Sequence, residues 1–303
     1  MFDGVHLGHQ RVVDEAVQMG KAMGHLSAVL TFDPHPASIL RPNAVPEFIL
    51  SLQKRTEQLL ARGLDHILVH SFTAEFSQYE AEDFVPYLQK LLPGLSSLHV
   101  GENFRFGAGR RGDGPLLMKS AEFAGMRAHV HPPLCLNGLC LSSSGIRDAI
   151  RAGKLEEARV MLGRPYSIEG NIRSGRQIGR RLGFPTINLN WEGKLSPPFG
   201  VYSVMCTIPQ SDQPLPAIAN FGVRPSFAPE EGPVFEVHLL ERPECGWPEV
   251  GEQLKADLFE FIRPETAFPN AEALRRQIQM DIELVTQRFS QSGVHFGEED
   301  NDS

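Results

Sequence analysis

Several short stretches of this 303-residue sequence combine residue types that suit chemistry on phosphates. His6 and His9, in Phe2-Asp3-Gly4-Val5-His6-Leu7-Gly8-His9, stand three apart where a first helix is predicted to open. That spacing puts both imidazoles on one side, beside unpaired backbone N–H groups and the positive end of the helix dipole. Gly4 and Gly8 leave room for a polyphosphate to approach the main chain. A bare H-x-x-H is more often two surface histidines, and the acidic residue of a zinc-binding H-E-x-x-H is missing. Ser142-Ser143-Ser144-Gly145-Ile146-Arg147 opens a second helix, whose hydroxyls can cap it. Arg147, one turn in, can neutralise phosphate oxygens at the same terminus. Asp33, in Thr31-Phe32-Asp33-Pro34-His35-Pro36, and Asn103, in Gly101-Glu102-Asn103-Phe104-Arg105-Phe106-Gly107, each follow a predicted strand. Open parallel sheets bind ligands at such carboxyl ends.

In the second half, Gly179-Arg180-Arg181-Leu182-Gly183-Phe184-Pro185-Thr186-Ile187-Asn188-Leu189 places Thr186 and Asn188 two apart. In an extended chain their side chains share a face, and two hard oxygens side by side can share a magnesium ion with water and a substrate phosphate. Gly170, Gly175 and Gly179 would let a loop fold over phosphates, with Arg173, Arg176, Arg180 and Arg181 nearby. No G-x-x-x-x-G-K-[ST] occurs, so this is not a P-loop. Phe235-Glu236-Val237-His238-Leu239 alternates as a strand does, so Glu236 and His238 share one face. A carboxylate there can take the proton of an alcohol attacking a γ-phosphoryl group. Gly107, Gly109 and Gly112 spell G-x-G-x-x-G but run on into Asp113-Gly114-Pro115 rather than directly into a helix, which argues against a dinucleotide fingerprint. The Arg-Gly-Asp at 111 to 113 reads as a mobile charged turn.

The elements that must hold these residues differ between the halves. Val12, Val13, Ala16, Val17 and Met23 mark a helical face ending at Gly24, and Ser27 to Phe32 reads as a buried strand. A helix carrying Leu52, Leu59 and Leu60 ends at Gly63; His66–His70 is a strand, Ala81–Leu92 a helix and Ser97–Gly101 a strand. This alternation predicts a Rossmann-like parallel sheet with helices on both faces. The first helix starts so early that the strand leading into it would have to precede Met1. After a short Leu155–Leu162 helix and Gly163-Arg164-Pro165, strands follow without helices between them: Tyr166–Ile172, Gly200–Pro209, Leu215–Phe221, Val234–Leu240 and Leu254–Ile262. They predict an antiparallel barrel or sandwich, closed by a helix over Ala271–Arg288. The expected division is 1–162, 163–290 and a disordered acidic tail at 291–303.

Composition sets outer bounds. The sequence has 29 Lys+Arg against 37 Asp+Glu, a formal charge of −8, and 41% hydrophobic residues. A net acidic chain is a poor nucleic-acid coat, so an anionic substrate must be met by local positive clusters. No apolar run reaches the roughly 18 residues of a membrane span, and the start lacks a secretory pattern. The expected location is the cytoplasm. Cys135, Cys140, Cys206 and Cys245 match neither a zinc knuckle nor a thioredoxin-type motif and read as free thiols.

These motifs, in this order, resemble those of the bacterial bifunctional riboflavin kinase/FAD synthetases, over about residues 2 to 288. The first half resembles their H-x-G-H nucleotidyltransferase module. The second resembles their kinase module, with Gly-Phe-Pro-Thr-x-Asn, the Gly200-Val201-Tyr202 strand, Asn220-Phe221-Gly222-Val223-Arg224-Pro225 and Glu-Val-His. The resemblance implies phosphorylation of riboflavin to FMN and adenylylation of FMN to FAD, with ATP as co-substrate and Mg2+. It implies that His6, His9, Ser142, Ser143 and Arg147 hold ATP phosphates, and that Asp33 and Asn103 hold nucleotide or flavin phosphate. It further implies that Thr186 and Asn188, with Gly179 and Gly183, hold Mg-ATP, and that Glu236 is the base on the riboflavin 5′-hydroxyl. The expected partners are these small molecules, with weak self-association and neither nucleic acid nor membrane.

The sequence departs from the family at Ser144-Gly145, Ile187, Ser226 and Glu241-Arg242, and in lacking the strand and Gly-Asn before Phe-Asp-Gly. The main alternative is a kinase alone, the adenylyltransferase site being weakened by the missing strand. A flavin-binding regulator without turnover has no use for a base, and a metal hydrolase built from His6, His9 and His35 is more distant still.

Overall fold

The computed structural model describes residues 1–136, 138–175, 179, 183–190, 193, 195–209, 211, 213–222 and 233–292. Arg176, Arg180, Arg181, the 223–226 segment and the tail beyond residue 292 lie outside the described residues. The chain forms two compact units: Met1–Ile146 with Met161–Gly163, and Arg147–Val160 with Arg164–Ser303.

The first unit alternates helices and strands as expected. Helix α1 (Leu7–Met23) buries Val13 and Val17 and stops at Gly24, whose φ of 67° is the left-handed conformation that ends helices. Strand β1 (Ala28–Phe32) follows, then α2 (Pro36–Leu40), α3 (Leu52–Leu60), β2 (His66–His70), α4 (Phe84–Leu91), β3 (Ser97–Gly101), α5 (Gly114–Phe123) and β4 (Arg127–His131). The predicted Ala81–Leu92 helix is a 3-10 turn at Ala81–Asp83 running into α4. The parallel sheet is in two pieces: β1 pairs with β2 and β3 with β4, each in parallel. Apolar residues cluster accordingly. Val5, Val13, Val17, Val29, Leu59 and Leu64 pack around the first pair, whereas Phe84, Val85, Leu88, Phe106, Leu117 and Ala121 pack around the second.

Three sequence expectations fail here. Cys135 and Cys140 are not free thiols: they face each other across a hairpin of β5 (Cys135–Leu136) and β6 (Leu139–Cys140) and form a disulfide. A separation of five matches no metal or redox spacing, but a tight turn brings the two residues opposite. Cys206 and Cys245 remain free. The Arg-Gly-Asp segment is anchored, because the Asp113 carboxylate accepts from Leu116 N (3.0 Å) and caps α5. The helix thus begins directly at Gly114, contrary to expectation. The glycine run still makes no dinucleotide turn, because Gly112 is bridged to Phe106.

The second unit is a closed six-stranded antiparallel barrel, followed in sequence by helix α8 (Ala271–Gln291). Helices α6 (Ser143–Arg151) and α7 (Leu155–Leu162) precede β7 (Tyr166–Arg173), β8 (Ile187–Asn190), β9 (Gly200–Thr207), β10 (Leu215–Gly222), β11 (Val234–Leu239) and β12 (Gln253–Pro264). Around the barrel the order is β10-β11-β8-β7-β12-β9. In β11 buried and half-buried positions alternate strictly, so Phe235, Val237 and Leu239 belong to the core and Glu236 and His238 to the opposite face. Helix α8 packs Val285 and Phe289 on Val201 and Ile218, and Asp281 takes a paired contact from Arg263 Nε and Nη2 (3.0 and 2.8 Å).

Candidate active sites

In the first unit, local sequence shapes the entrance to α1. Gly4 has φ +83°, and a Cβ there would lie 2.9 Å from Ile49 Cδ1, so the turn requires glycine. The turn delivers His6 to the helix N-cap, where its Nδ1 accepts from His9 N (3.3 Å). When neutral, His6 therefore carries its proton on Nε2. The His6 and His9 rings stack with centroids 3.7 Å apart. His6 is buried and His9 half-buried, and the His9 Nδ1 atom, itself shielded from solvent, has no hydrogen-bond partner among the described residues. Burial, and after it the charge of His6, hold His9 well below the ordinary imidazole range, so it is neutral at pH 7.

Ser142 and Ser143 start α6 as predicted. Ser142 Oγ accepts from Gly145 N (3.1 Å), and Ser143 Oγ donates to Asp3 O (2.8 Å), which ties the two helix entrances together. The Asp3 carboxylate in turn accepts from Ile49 N (3.1 Å). A cavity of ≈ 1090 Å³ takes in His6, Gly8, His9, Asn103, Ser142 and Ser143 in its wall, together with the β1 and β3 strands. Asn103, exposed on the turn after β3, therefore shares one cavity wall with the paired histidines, although 94 residues separate Asn103 from His9. Asp33 and Arg147 are not in that wall. Asp33 is exposed after β1, and Arg147 is buried one turn into α6.

Two features of this unit escaped the sequence reading. Arg55 is only 4% exposed, donates from Nη2 to Phe32 O (3.4 Å), and is held below its usual pKa by burial against the opposing pull of Asp3 and Asp33. A charge at the 52-55-59 spacing of an apolar helix face was the available signal, whereas Leu60, counted on that face, is exposed. At the carboxyl ends of β1 and β2, Phe32, Phe72 and Phe76 adjoin His70, Tyr79 and Tyr87 with neighbouring ring centroids 4.6–5.9 Å apart. Such an aromatic wall suits a planar heterocycle.

In the barrel, register assembles the site. Glu236 of β11 lies opposite Asn188 of β8 on one side and Asn220 of β10 on the other. Arg173 of β7 is opposite Asn188, so a polar row crosses neighbouring strands. Directly opposed residues share a face. Thr186 immediately precedes β8, and the backbone before it is fastened by His238, whose Nδ1–H donates to Pro185 O (2.7 Å). Burial lowers the pKa of His238, opposed by that bond. Gly175 and Gly179 lie close to the same residues. A Cβ on Gly175 would fall 2.2 Å from Asn188 Nδ2, and one on Gly179 would fall 3.2 Å from Thr186 Oγ1. Gly179 O also accepts from Phe184 N (2.8 Å), and Gly183 has φ +92°. Only glycine allows this approach. Asn220 Nδ2 donates to Glu265 Oε1 (3.2 Å), a carboxylate the sequence reading did not single out.

Among the described residues no group of three or more His, Cys, Asp or Glu is placed to hold a metal. The zinc-hydrolase alternative therefore has no ligand set among them. Thr186 and Asn188 offer neutral oxygens, a donor type that suits a hard cation completed by water and phosphate.

An α/β unit with paired imidazoles at a helix mouth, and a barrel with a Thr-x-Asn/Glu row, together define a two-module nucleotide-dependent transferase. Comparison with known proteins makes this specific. Residues 1–145 match the FAD synthetase family and residues 162–289 the riboflavin kinase family. The chain is 32% identical to the bifunctional riboflavin kinase/FMN adenylyltransferase of Escherichia coli K12, over 95% of this chain and 90% of that one. The protein so named from Listeria monocytogenes is 33% identical, over 92% and 88%. A crystal structure described as a macrolide-efflux protein from Streptococcus pneumoniae superimposes with TM-score 0.83 at 26% identity, covering 94% of this chain and 91% of that one. The chain belongs to the bifunctional riboflavin kinase/FMN adenylyltransferase family.

Proposed function

We propose that this protein phosphorylates riboflavin with ATP to give FMN and ADP, and then adenylylates FMN with a second ATP to give FAD and pyrophosphate. The observation that carries the reading is the register that sets Glu236 opposite Asn188, two residues beyond Thr186 and closely approached by Gly175. In the kinase step Glu236 accepts the proton of the riboflavin 5′-hydroxyl as that oxygen attacks the γ-phosphorus in line. Thr186 and Asn188 would hold Mg2+, which when bound neutralises charge on the phosphates. Gly179 and Gly183 let the main chain lie close to them.

In the adenylylation step a phosphate oxygen of FMN attacks the α-phosphorus of ATP, and pyrophosphate leaves. The attacking oxygen belongs to the substrate, so the chain supplies alignment and charge neutralisation rather than a nucleophile. His6 donates from Nε2–H, and Ser142, whose Oγ accepts from Gly145, keeps its own proton to donate. His9, Ser143 and Arg147 complete the triphosphate cradle. Asn103 and Asp33 orient nucleotide or flavin phosphate, and the Phe32–Phe76 wall offers a seat for the flavin ring. The work divides near residue 162, with the kinase running to about 290 and the 291–303 segment outside both modules.

The proposed setting is the cytoplasm, with small molecules as partners, no nucleic acid, and self-association no more than weak. Among the described residues no helix is long and apolar enough to cross a membrane. The test is to supply riboflavin, ATP and magnesium and to resolve the flavins chromatographically, then to repeat with FMN in place of riboflavin. FMN followed by FAD is expected, and both should vanish with a chelator. FMN without FAD in either assay would leave a kinase alone.

A further inference from the structure

The Cys135–Cys140 disulfide has no part in either reaction, yet it sits beside the first cradle. It closes the β5–β6 hairpin, whose tip Gly138 has φ +79°. The hairpin's base is the bond from Leu141 N to Leu134 O (2.9 Å), and Leu141 is followed at once by Ser142 and Ser143. Its other leg touches α1. A Cβ on Gly8, between His6 and His9, would lie 4.0 Å from Leu134 Cβ, and Leu134 and Leu136 share a surface groove with Leu7, Gln10, Arg11 and Asp14. Leu134 and Leu141 also stand in the cavity wall with His9 and Ser142.

We propose that Cys135 and Cys140 are a thiol–disulfide switch: the disulfide holds the hairpin that positions the Ser142–Ser143 helix start against His6 and His9, and a dithiol reductant loosens it. The proposal rests on the assignment of that cradle to ATP. Two strands of two residues are far too short to hold a hairpin in water, so the covalent link supplies what the ladder cannot. Both cysteines are exposed, so a reductant reaches them. Its thiolate attacks one sulfur, the other cysteine leaves as thiolate, and the reductant's second thiol releases the mixed disulfide. Two electrons pass from the dithiol, which becomes a cyclic disulfide, to the pair, which ends as two thiols after taking up protons. In reducing compartments, surviving disulfides in mesophilic proteins are typically redox-sensing or catalytic.

The experiment equilibrates the full chain with oxidised or reduced dithiothreitol, alkylates it, and maps the modified cysteines by mass. Exposed Cys245 should react in both states and buried Cys206 in neither, while Cys135 and Cys140 should react only after reduction. Reduction should raise KM for ATP in FAD formation at least ~3-fold and leave FMN formation unchanged. It should also speed hydrogen exchange at the Leu141 amide. The double variant C135S/C140S should behave as reduced under both conditions. Cysteines that alkylate without reduction, or a verified redox change that moves neither KM nor Leu141 exchange, would overturn the switch. Absence of FAD in both states, with FMN formed normally, would instead overturn the cradle assignment and this role with it.

Discussion

The two units solve the same problem, holding a polyphosphate beside an incoming oxygen, by different structural means. In the barrel each strand has neighbours on both sides, and the polar row Arg173, Asn188, Glu236, Asn220 is set by strand register. A slip of one residue would send the row to the other face, so the same ladder that stabilises the barrel specifies the site. In the α/β unit the candidate residues sit on helix starts and strand-end turns. Their placement rests on caps, a glycine turn, the Ser143–Asp3 bond and a short hairpin. A site made from a closed ladder shares the stability of the whole barrel. One made from termini and turns inherits the lower local stability of such segments.

That contrast can be tested by removing one component at a time. Glu236→Gln should have the largest effect, a loss of roughly 10³-fold in FMN formation, with FAD formation from supplied FMN unchanged. Equal loss of both activities in separate assays would contradict independent sites. His6→Ala should do the converse, lowering FAD formation by about 10²-fold through loss of the helix cap and a phosphate donor, with riboflavin phosphorylation as the internal control.

Asp281→Asn removes the carboxylate charge that Arg263 grips at a site where Asp281 is only 5% exposed. It should destabilise the barrel by about 3 kcal/mol, read as a fall in the denaturant midpoint of FMN formation. A loss confined to FAD formation would place the pair's importance elsewhere.

Acid should act on the α/β unit first. Burial lowers the pKa of His9 and His131, and burial with the neighbouring His129 and His131 brings His99 down to about 4. An imidazole whose folded pKa lies below its unfolded value is protonated first in the unfolded chain. Stability is then full above about pH 6.5 and falls as pH drops toward 4. Lowering pH from 7 to 5 should reduce the melting temperature of this unit by roughly 5 °C, and that of the barrel by less, since His238 is lowered there but is helped by Pro185 O. Calorimetric transitions that move together would break the comparison.

Five of the six barrel strands were legible because alternation and strand order survive in sequence; β8 was not named as a strand, although two-residue spacing already puts Thr186 beside Asn188. The first helix was legible to its last residue, since Gly24 is a local stop. The disulfide was not, because a separation of five has no meaning until a turn folds it back. Arg55 was missed because a single charge within an apolar period reads as solvent-facing until its neighbours are known. Asn103 stood out locally as a polar residue at a strand end, but its place in one cavity wall with His6 and His9 depends on β3 packing beside α1.

The sequence by itself determined which residues could do phosphate chemistry, the periods of the elements that carry them, and the change from alternating helices and strands to strands alone. These are local properties, governed by side-chain chemistry and by the geometry of a few consecutive residues. Tertiary structure decided that β8, β10 and β11 are neighbours and that two cysteines meet. Those are contacts between residues far apart or across a turn, and they depend on the packing of apolar faces, which no single segment records.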